Sequence, residues 1–545
     1  MKAFLSDLVT AALKKTGYAY QPGDVHFEVP NNPAHGDWST NCAFTIAKRE
    51  KKNPQLVARE MVAAMEIPSA ELDQPEIAGP GFINFRLKPA FYFRQLNDLL
   101  QAGNAYGRHN VGAGKKAMVE FVSANPTGPL TIGHGRQAVL GDTLANLMQW
   151  IGYEVIREYY FNNAGRQMRV LGDSVRLRYL ELLGETISFP DDYYQGEYIK
   201  DIAAGIIQDH GDSLRSSDDV TPFKDRAEKV IFEDIRNSCT RLGIGHDVYY
   251  NENSLYENGH VDSTLQRLRD KGVIYDKDGA VWFKTTDFGN EQDKVLVKST
   301  GEPTYRLPDI AYHIQKFERG FDLVIDLFGS DHIATYPDVL LALKILGYDA
   351  DRIRVLIHQF VTVTQGDEII KMSTRKANFI TLDWLTDEVG PDVVRFFFLM
   401  RSMGSHLNFD LELARKETDE NPVFYLQYAH ARISGIIRKA AEAGLHRWET
   451  GRELSPLGNA DELDLIRLLL QFPDTVLMTA TSGEPHRLIT YLNDVATQFH
   501  KFYHSNYVIG VEPDLSDARL ALCEATRIVL ANGFRILGIQ APERM

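Results

Sequence analysis

The segment from Ala117 to Ile151 constrains the fold more than any other part of the sequence. A short apolar strand, AMVEFV, is followed by the turn SANPTGPLTIGHG and then by a helix. In that helix, apolar residues repeat every three or four positions. Strand, glycine-containing turn and helix form the first half of a βαβ unit, and such units build parallel sheets. Two later apolar runs, FDLVIDLFG and RIRVLIHQFVTV, are typical of further buried parallel strands. The sequence therefore predicts an α/β domain.

The regions on either side of this unit have different patterns. Residues 1–110 combine helical patterns with a Gly-Pro-Gly turn and an alternating strand, IAGPGFINFRL, which predicts an α+β module. Residues 165–270 are mainly helical and charged, which predicts an insertion between the two halves of the sheet. From about residue 420 no strand pattern remains. A helix with one core-facing stripe is predicted there by the spacing of Leu488, Leu492, Val495, Phe499 and Phe502.

Composition narrows the class of protein. The 545 residues include 59 Lys and Arg against 74 Asp and Glu, a formal charge of −15. This balance argues against nonspecific coating of nucleic acid, but not against RNA recognition by stacking and base-edge contacts. No apolar run approaches a membrane span and the first residues have a helical pattern unlike a signal peptide, so we expect a cytoplasmic protein. Three scattered cysteines predict neither disulfides nor a thiolate zinc site.

The turn PLTIGHGR is the first candidate for chemistry. It follows a strand and opens a helix, where backbone amides and the helix dipole favour an anion. Gly133 and Gly135 would let a phosphate or a base approach the backbone closely, and His134 can donate a hydrogen bond to a phosphate or a ribose. For this turn alone, an ordinary helix start is an equally good explanation.

A second candidate lies about 235 residues later, in IIKMSTRKANFITL. Four polar side chains crowd into one loop beside an apolar run: Lys371, Ser373, Arg375 and Lys376. A solvated charged loop is the simpler explanation for this segment alone. The two segments taken together are far more specific.

Together they resemble the HIGH and KMSKS motifs with which class I aminoacyl-tRNA synthetases clamp ATP. Their surroundings resemble the arginyl-tRNA synthetase family in VEFVSANPTGPLTIGHGR, YYFNNAGRQM, YRLPDIAYH, GSDH, KMSTRKANFITL, NPVFYLQYAHAR and GIQAPERM. HGDWSTN and AGPGFINF resemble the N-terminal additional domain of that family. The resemblance extends in order over essentially the whole chain.

The resemblance implies a multidomain α/β architecture with a Rossmann-like class I catalytic domain, an N-terminal α+β module and a C-terminal all-α anticodon-binding bundle. Four segments follow from it: an additional domain at 1–110, the catalytic domain at 111–385 with its helical insertion at 165–270, a connecting stem at 386–420 and the anticodon-binding domain at 421–545.

The implied activity is that of an arginine–tRNA ligase. Arginine would attack the α-phosphate of ATP, giving arginyl adenylate, and the terminal adenosine of tRNA(Arg) would then take the arginyl group. Magnesium would arrive on the nucleotide, with no separate metal site. The resemblance assigns catalysis to Thr131, His134, Lys371, Ser373 and Arg375, and ATP binding to Gly133, His134, Gly135, Lys371, Met372 and Lys376.

Two positions depart from the family motifs. Thr131 replaces the first histidine of HIGH, and this shorter, neutral donor puts the catalytic rate in doubt. Thr374 replaces the second lysine of KMSKS, so either Arg375 or Lys376 is expected to take over its phosphate contact.

Recognition of arginine calls for carboxylates that can accept the guanidinium fork. The family positions match Glu120 and Asp309, with Tyr305 bounding the side-chain slot and Asn125 orienting the backbone end of the substrate. Asp331, with His332, matches a further active-site segment. The simpler alternatives are a charge at a strand edge for Glu120 and a helix cap for Asp309 or Asp331. An acid inside an apolar strand is costly unless paired, and an arginine ligand would supply that partner to Glu120.

Contacts with tRNA are implied at four positions. Tyr428 and Met545 match anticodon contacts, and Phe82 and Asn84 match contacts with the D-loop. Core packing is the alternative for Tyr428, and a half-exposed sheet face is the alternative for Phe82 and Asn84.

Two other functions remain open from the sequence. One is a class I synthetase for a different amino acid, against which the paired acids and the N-terminal module argue. The other is a tRNA-binding relative that has lost activation, for which Thr131 is the one hint. Members of the family usually act as monomers, so we expect a monomer.

Overall fold

The computed structural model describes residues 1–30, 32–330, 333, 335–366, 368–370, 380–445 and 453–545. Within these ranges, no helix is both long enough and apolar enough to cross a membrane. The chain forms an N-terminal α+β module, a parallel sheet with helices on both faces, two small accessory sheets and a C-terminal helical bundle.

The N-terminal module packs helices against a small antiparallel sheet with strand order β1-β3-β2. Its elements are α1 (Lys2–Thr16), β1 (Trp38–Thr40), α2 (Cys42–Glu50), α3 (Pro54–Ala64), β2 (Glu76–Ala78), β3 (Phe82–Phe85) and α4 (Pro89–Ala102). The predicted Gly-Pro-Gly turn joins β2 to β3, with Ala78 opposite Phe82. Gly79 and Gly81 both adopt positive φ there, a conformation in which glycine is unstrained.

The central sheet has five parallel strands in the order β11-β10-β4-β5-β6. Its strands and first crossover helix are β4 (Lys116–Glu120), α5 (Ile132–Trp150), β5 (Glu154–Phe161), β6 (Val248–Asn251), β10 (Leu323–Gly329) and β11 (Ile353–His358). The three predicted apolar runs thus supply the neighbouring strands β4, β10 and β11. Alternate residues point to opposite faces: Ala117 and Val119 enter one apolar core and Met118 enters the other.

The region between β5 and β10 is mainly helical at first, as expected, and then returns to the sheet at β6. It contains α6 (Arg166–Leu182), α7 (Glu197–His210), α8 (Thr221–Arg241), α9 (Asn253–Glu257), α10 (His260–Asp270) and α11 (Arg306–Glu318). A three-stranded antiparallel sheet precedes α11, formed by β7 (Ile274–Lys277), β8 (Ala280–Phe283) and β9 (Lys294–Val297). Neither β6 nor this sheet was expected from the sequence.

A third small sheet, with strand order β13-β12-β14, lies between the main sheet and the C-terminal bundle. Helix α12 (Tyr336–Ile345) connects β10 to β11 of the main sheet. The elements that follow β11 are β12 (Val361–Gln365), β13 (Glu368–Ile369), α13 (Leu382–Val389), α14 (Pro391–Leu399), β14 (Leu407–Asp410) and α15 (Leu411–Ala414). The apolar run RIRVLIHQFVTV therefore supplies strands to two different sheets. Its first half forms β11 of the parallel main sheet, and its second half forms β12, which pairs in parallel with β14 and antiparallel with β13.

The C-terminal bundle consists of α16 (Pro422–Glu442), α17 (Ala460–Leu469), α18 (Phe472–Ser482), α19 (His486–Ser505) and α20 (Pro513–Leu537). No strand occurs in the described residues from 422 onward. The predicted stripe on α19 is confirmed, because Leu488, Leu492, Val495, Phe499 and Phe502 are all fully buried.

Arg395 of α14 joins the bundle to the central sheet. Its guanidinium is buried and donates to the Asp142 carboxylate of α5 (2.6 Å), to the carbonyl of Leu242 after α8 (2.9 Å) and to the carbonyl of Leu537 at the end of α20 (2.9 Å). A buried guanidinium with three sets of acceptors fixes the relative positions of three helices.

A Gly538→Ala substitution should break this junction. Gly538 has φ 69°, and a Cβ there would lie 2.1 Å from Nη2 of Arg395. We expect a loss of about 2 kcal/mol or more, from the left-handed backbone and the displaced guanidinium together. The measurement is the midpoint of chemical unfolding. Gly444→Ala is the matched control, because Gly444 has φ 77° and nothing near its missing Cβ; equal losses in the two variants would contradict the role of Arg395.

Candidate active site

The chain leaves β4 through a strained turn at the carboxyl edge of the central sheet. Val122 and Ser123 have φ values of 68° and 40°, and such conformations cost non-glycine residues about 1–3 kcal/mol each. The Ser123 hydroxyl donates to Oε1 of Glu120 (3.0 Å) and accepts from the backbone N–H of Tyr160 (3.1 Å). These bonds hold the turn against the carboxyl edge of the sheet. Ligands of open α/β sheets bind at this edge.

Three carboxylates lie side by side on one face of the sheet. Glu120 is in register with Glu158 of β5 and with Asp326 of β10, and all three side chains are buried. Residues opposite one another on neighbouring strands share a face, so their charges would repel one another unless cations approached from that side. We call Glu158, Glu120 and Asp326 the acid row.

Helix α11 crosses the acid row and supplies these cations. Lys316 Nζ donates to Oε2 of Glu120 (2.6 Å) and to Oδ1 of Asp326 (2.7 Å). Burial opposes the charged form of Lys316, but the two carboxylates hold its pKa above its usual value. Burial raises the pKa of Glu120, and the ammonium of Lys316 opposes that rise. The expectation that an arginine ligand supplies the partner of Glu120 therefore needs correction, because Lys316 already does so.

The third acid of the row is paired by the same helix. Arg319 forms a two-pronged ion pair with Glu158 (2.6 and 2.8 Å), and the Tyr312 hydroxyl donates to Oε1 of Glu158 (2.6 Å). Such fork-shaped pairs are the strongest that a carboxylate forms with a side chain. The described hydrogen bonds to the Glu158 carboxylate therefore come from α11 and its C-cap residue.

Asp309 lies on the same face of α11, one turn before His313. Its side chain is 39% exposed at the sheet edge. Nδ1 of His313 lies 2.8 Å from the Asp309 carbonyl oxygen, and Nε2 lies 3.0 Å from Oδ2 of Asp326. Both ring nitrogens face oxygen acceptors, which favours the imidazolium. Burial and Lys316 lower the pKa of His313, but the two aspartates outweigh them and raise it.

The helix cap proposed as the alternative for Asp309 is wrong, because α11 begins one turn earlier with Tyr305 at its N-cap. Tyr305 is 77% exposed at the N-terminus of α11. Asn125 lies in the turn after β4 and donates through Nδ2 to Oε1 of Gln167 on α6 (2.7 Å).

Glu252 is a buried carboxylate at this edge that was not predicted from the sequence. It follows β6 at the N-terminus of α9, and its Oε2 has no hydrogen-bond partner among the residues that the structure describes. Burial, and then the nearby Asp309, raise its pKa to about 7, although a hydrogen bond with Tyr160 opposes this. A buried acid with an unsatisfied oxygen suits a cationic ligand.

The predicted anion site lies where α5 begins. The backbone N–H of Thr131 donates to Nδ1 of His134 (3.2 Å), and the Thr131 hydroxyl lies 3.3 Å from the same nitrogen. Since Nδ1 accepts, the proton of the neutral ring lies on Nε2. The first turn of the helix therefore carries an imidazole N–H donor in addition to its backbone amides.

The chain after the second motif returns to this turn. Thr381 forms an antiparallel bridge with Thr131, and the Leu382 N–H donates to the Leu130 carbonyl (2.8 Å). Thr381, six positions after the KMSTR segment, thus contacts the start of α5. Several predicted site residues lie outside the described residues: Asp331, His332, Lys371, Met372, Ser373, Arg375 and Lys376.

The two glycines of the turn have different surroundings. A Cβ at Gly135 would lie 2.5 Å from Leu382 Cδ1 and 3.1 Å from Phe398 Cε2, whereas a Cβ at Gly133 would meet only the Thr131 hydroxyl, at 3.7 Å. Gly135 is buried against α13 and α14, so helix packing requires its small size; its contact with ATP stays a prediction. Gly133 keeps the open surroundings that were predicted.

Arg136, next in the same motif, was not singled out from the sequence. Its guanidinium is fully buried and donates to the carbonyls of Gln359 (2.7 Å), Ser402 (3.0 Å) and Ser405 (3.1 Å), and burial lowers its pKa to about 10. These bonds fix the first turn of α5 to two loops. Only the contacts themselves could have identified this role.

The predicted tRNA contacts lie in the two terminal regions. Phe82 is half-buried against Phe44, and Asn84 is only 5% exposed in the central strand β3. Tyr428 is 41% exposed, so core packing does not account for it, and Met545 is exposed. All four contacts remain predictions, and the burial of Asn84 leaves little of its amide open to a base.

Comparison with known proteins places this geometry in a family. Residues 95–394 match the model of the class I tRNA synthetase (R) catalytic domain, residues 3–87 that of the arginyl tRNA synthetase N-terminal domain, and residues 426–545 that of the DALR anticodon-binding domain. The structure superimposes on the arginyl-tRNA synthetase of Thermus thermophilus with a TM-score of 0.77 at 22% identity, over the whole of both chains. The sheet, the helix start and the helical bundle are thus those of a class I aminoacyl-tRNA synthetase, as predicted.

Sequence relatives define the family more narrowly. The chain is 53% identical to the arginine–tRNA ligase of Desulfotalea psychrophila over 96% of this chain and 95% of that protein. It is 50% identical to the arginine–tRNA ligase of Salinibacter ruber over the full length of both. The chain belongs to the arginyl-tRNA synthetase family.

Proposed function

We propose that the protein is an arginine–tRNA ligase that activates L-arginine with ATP and transfers it to tRNA(Arg). The observation that carries the proposal is the pair of acids at the sheet edge, Asp309 and Glu252, of which one is half-exposed and the other has an unsatisfied oxygen. A guanidinium offers five N–H donors in a planar fork, which suits two neighbouring carboxylates better than an ammonium does.

Glu120 forms the floor of this arginine site. Lys316 and Ser123 each occupy one direction on its oxygens, and a carboxylate has about four lone-pair sites, so it can accept a further N–H from the substrate. Tyr305 would close over the aliphatic part of the substrate, and Asn125 would bind its α-amino or carboxylate end. Asp331 completes the set that we propose.

The reaction proceeds in two displacements. A carboxylate oxygen of arginine attacks the α-phosphorus of ATP, the bond to the β-phosphate breaks and pyrophosphate leaves. A ribose hydroxyl of the terminal adenosine then attacks the carbonyl carbon, AMP leaves with the bonding electrons, and its phosphate takes up the hydroxyl proton. The amides of the first turn of α5 and Nε2 of His134 stabilise the phosphate charge, together with Lys371, Ser373 and Arg375.

Magnesium is expected on the nucleotide. The described residues include no group of three or more His, Cys, Asp or Glu side chains able to hold a metal. Mg²⁺ keeps much of its water and commonly binds through substrate phosphates, so ATP can carry it. Met372 and Lys376 complete the proposed nucleotide contacts, with Gly133 lining the approach.

Recognition of tRNA is assigned to both terminal regions. Residues 1–110 would contact the D-loop through Phe82 and Asn84, and residues 421–545 would contact the anticodon through Tyr428 and Met545. An exposed tyrosine can stack on an extruded base, which is worth about 1–3 kcal/mol. Segments 111–385 and 386–420 would form the catalytic domain and the stem. We propose that the protein is cytoplasmic and acts as a monomer. Light scattering, which measures the molar mass in solution, would test the monomeric state.

Pyrophosphate exchange into ATP tests this function. The assay uses arginine with and without tRNA(Arg), and lysine and glutamine as control amino acids. Exchange with arginine alone among the three supports the proposal. Exchange with another amino acid would overturn the specificity, whereas silence from a folded protein that binds tRNA would favour a relative that has lost activation, with Thr131 the first residue to revert to histidine.

Arginine binding should strengthen as the pH rises through about 7. Glu252 has a pKa near 7 in the free protein, and a bound guanidinium favours its ionised form, so binding releases a proton below that pH. We expect the KM for arginine to fall by up to about tenfold between about pH 6 and 8. Glu252→Gln should flatten this profile, while the KM for ATP keeps its own pH dependence. A wild-type profile that is flat over this range would contradict the prediction.

A further inference from the structure

Charges near Glu120 are unevenly balanced. Setting aside the Glu158–Arg319 pair, α11 and the acid row bring together three carboxylates, those of Glu120, Asp326 and Asp309, with Lys316 and His313. Even with His313 as imidazolium, this group is one positive charge short of neutrality. The titratable groups that face Glu120 are Lys316, His313 and Tyr312 on α11, Asp326 on β10 and Tyr160 on β5.

Lys316 has no capacity left for a substrate. Its ammonium is fully buried and directs two of its three donors to Glu120 and Asp326. The remaining side is covered by the Tyr312 ring, whose centroid lies 4.3 Å away, and by Nε2 of His313 at 3.4 Å. Lys316 therefore acts on whatever binds at the edge through its neighbours.

Without that ammonium, Glu120 would change both its position and its charge. Among the described residues, the Ser123 hydroxyl alone would remain as a hydrogen-bond partner for its oxygens, and burial would favour the protonated carboxyl group. A protonated Glu120 offers the guanidinium a neutral acceptor in place of an anion.

We propose that Lys316 is a positioning residue of the arginine site, which holds the Glu120 carboxylate in place and in its charged form. The proposal rests on the proposed function, since it concerns the affinity of that same site for arginine. Lys316 fills one cation position permanently, and the negative charge that remains, together with Glu252 when it ionises, favours a cationic side chain such as a guanidinium.

The test removes Lys316 without leaving Asp326 unpaired. In Lys316→Met/Asp326→Asn, the ammonium and one of its two carboxylates are neutralised together. We expect the KM for arginine to rise about tenfold or more near neutral pH, because Glu120 loses the partner that holds its carboxylate in place, while the KM for ATP changes by less than about twofold. The pH at which the KM for arginine reaches its lower plateau should move upward relative to the wild type, as Glu120 regains its charge.

Arg319→Met/Glu158→Gln is the matched control. It neutralises the adjacent buried ion pair between the same helix and the same row without touching Glu120. Equal changes of arginine KM and of its pH profile in both double variants would mean that any loss of charge beneath α11 has this effect, and would overturn the proposal.

Adding Glu120→Gln makes the test independent of folding defects common to all variants. If Lys316 acts through Glu120, the added substitution should raise arginine KM in the wild type but have little further effect in Lys316→Met/Asp326→Asn. Additive effects would overturn the proposal, as would an unchanged arginine KM in the double variant. Because the wild type must first show arginine-dependent exchange, failure of the proposed function is seen separately.

Discussion

Replacing His134 with alanine is expected to slow arginyl adenylate formation by about 100- to 1000-fold, the usual cost of losing one donor aimed at transition-state charge. Nδ1 of His134 is held by the Thr131 N–H, which leaves Nε2 to carry the donating proton. With a threonine in place of the first motif histidine, no second imidazole shares this task in the turn. The measurement is pyrophosphate exchange at saturating arginine and tRNA.

Two further variants separate the effect of losing the Nε2 donor from the effect of losing the Nδ1 acceptor at the helix N-terminus. His134→Asn keeps an acceptor for the Thr131 N–H but has nothing at the position of Nε2, so it should be as slow as alanine and as stable as the wild type. His134→Gln places an amide N–H near that position and should recover part of the rate. Full activity in His134→Ala would remove our placement of ATP.

Asp309→Asn should raise the KM for arginine by about 100-fold, or about 2.7 kcal/mol, because a charge-assisted fork becomes a neutral contact of the same shape. The side chain is partly exposed and isosteric with its replacement, so folding should be unaffected and the KM for ATP should stay within about twofold. Steady-state exchange kinetics with each substrate varied in turn provide the measurement.

Glu318→Gln is the control for this variant, because Glu318 is an exposed acid on the same helix. It should leave both KM values unchanged. If Asp309→Asn behaves like Glu318→Gln, the guanidinium does not bind at Asp309 and the site must lie elsewhere along the sheet edge.

Sequence patterns predicted the fold where a segment is long or strongly periodic. The α5 repeat and the α19 stripe needed no tertiary information, and β4 and β10 are apolar runs of a kind that buried parallel strands require. The strand β6, with sequence VYYN, is short and rich in tyrosine, so it has neither an alternating nor a continuous apolar pattern. Missing β6 also concealed Glu252, whose position matters only because it follows a strand of the main sheet.

The site was predicted in part for a similar reason. Glu120 and Asp309 could be matched to family motifs, but the partner of Glu120 depends on strand register and on the docking of α11, which sequence spacing does not encode. One signal was available: Asp309, His313 and Lys316 are spaced by four and three and therefore share a helix face. Without the register that places Asp326 beside Glu120, that face had no interpretation.

The acid row has a consequence for building chimeras of this family. Its ion pairs connect three strands to one helix, since β4, β5 and β10 each contribute an acid and α11 with its C-cap contributes Lys316 and Arg319. A graft that replaced β5 with a strand lacking Glu158 would leave Arg319 without its carboxylate, and one that replaced β4 or β10 would leave Lys316 with one carboxylate instead of two; breaking a buried pair typically costs about 3–5 kcal/mol. Recombination should therefore tolerate breakpoints in the small β7–β9 sheet or at the domain borders, and should require that these four elements be inherited together.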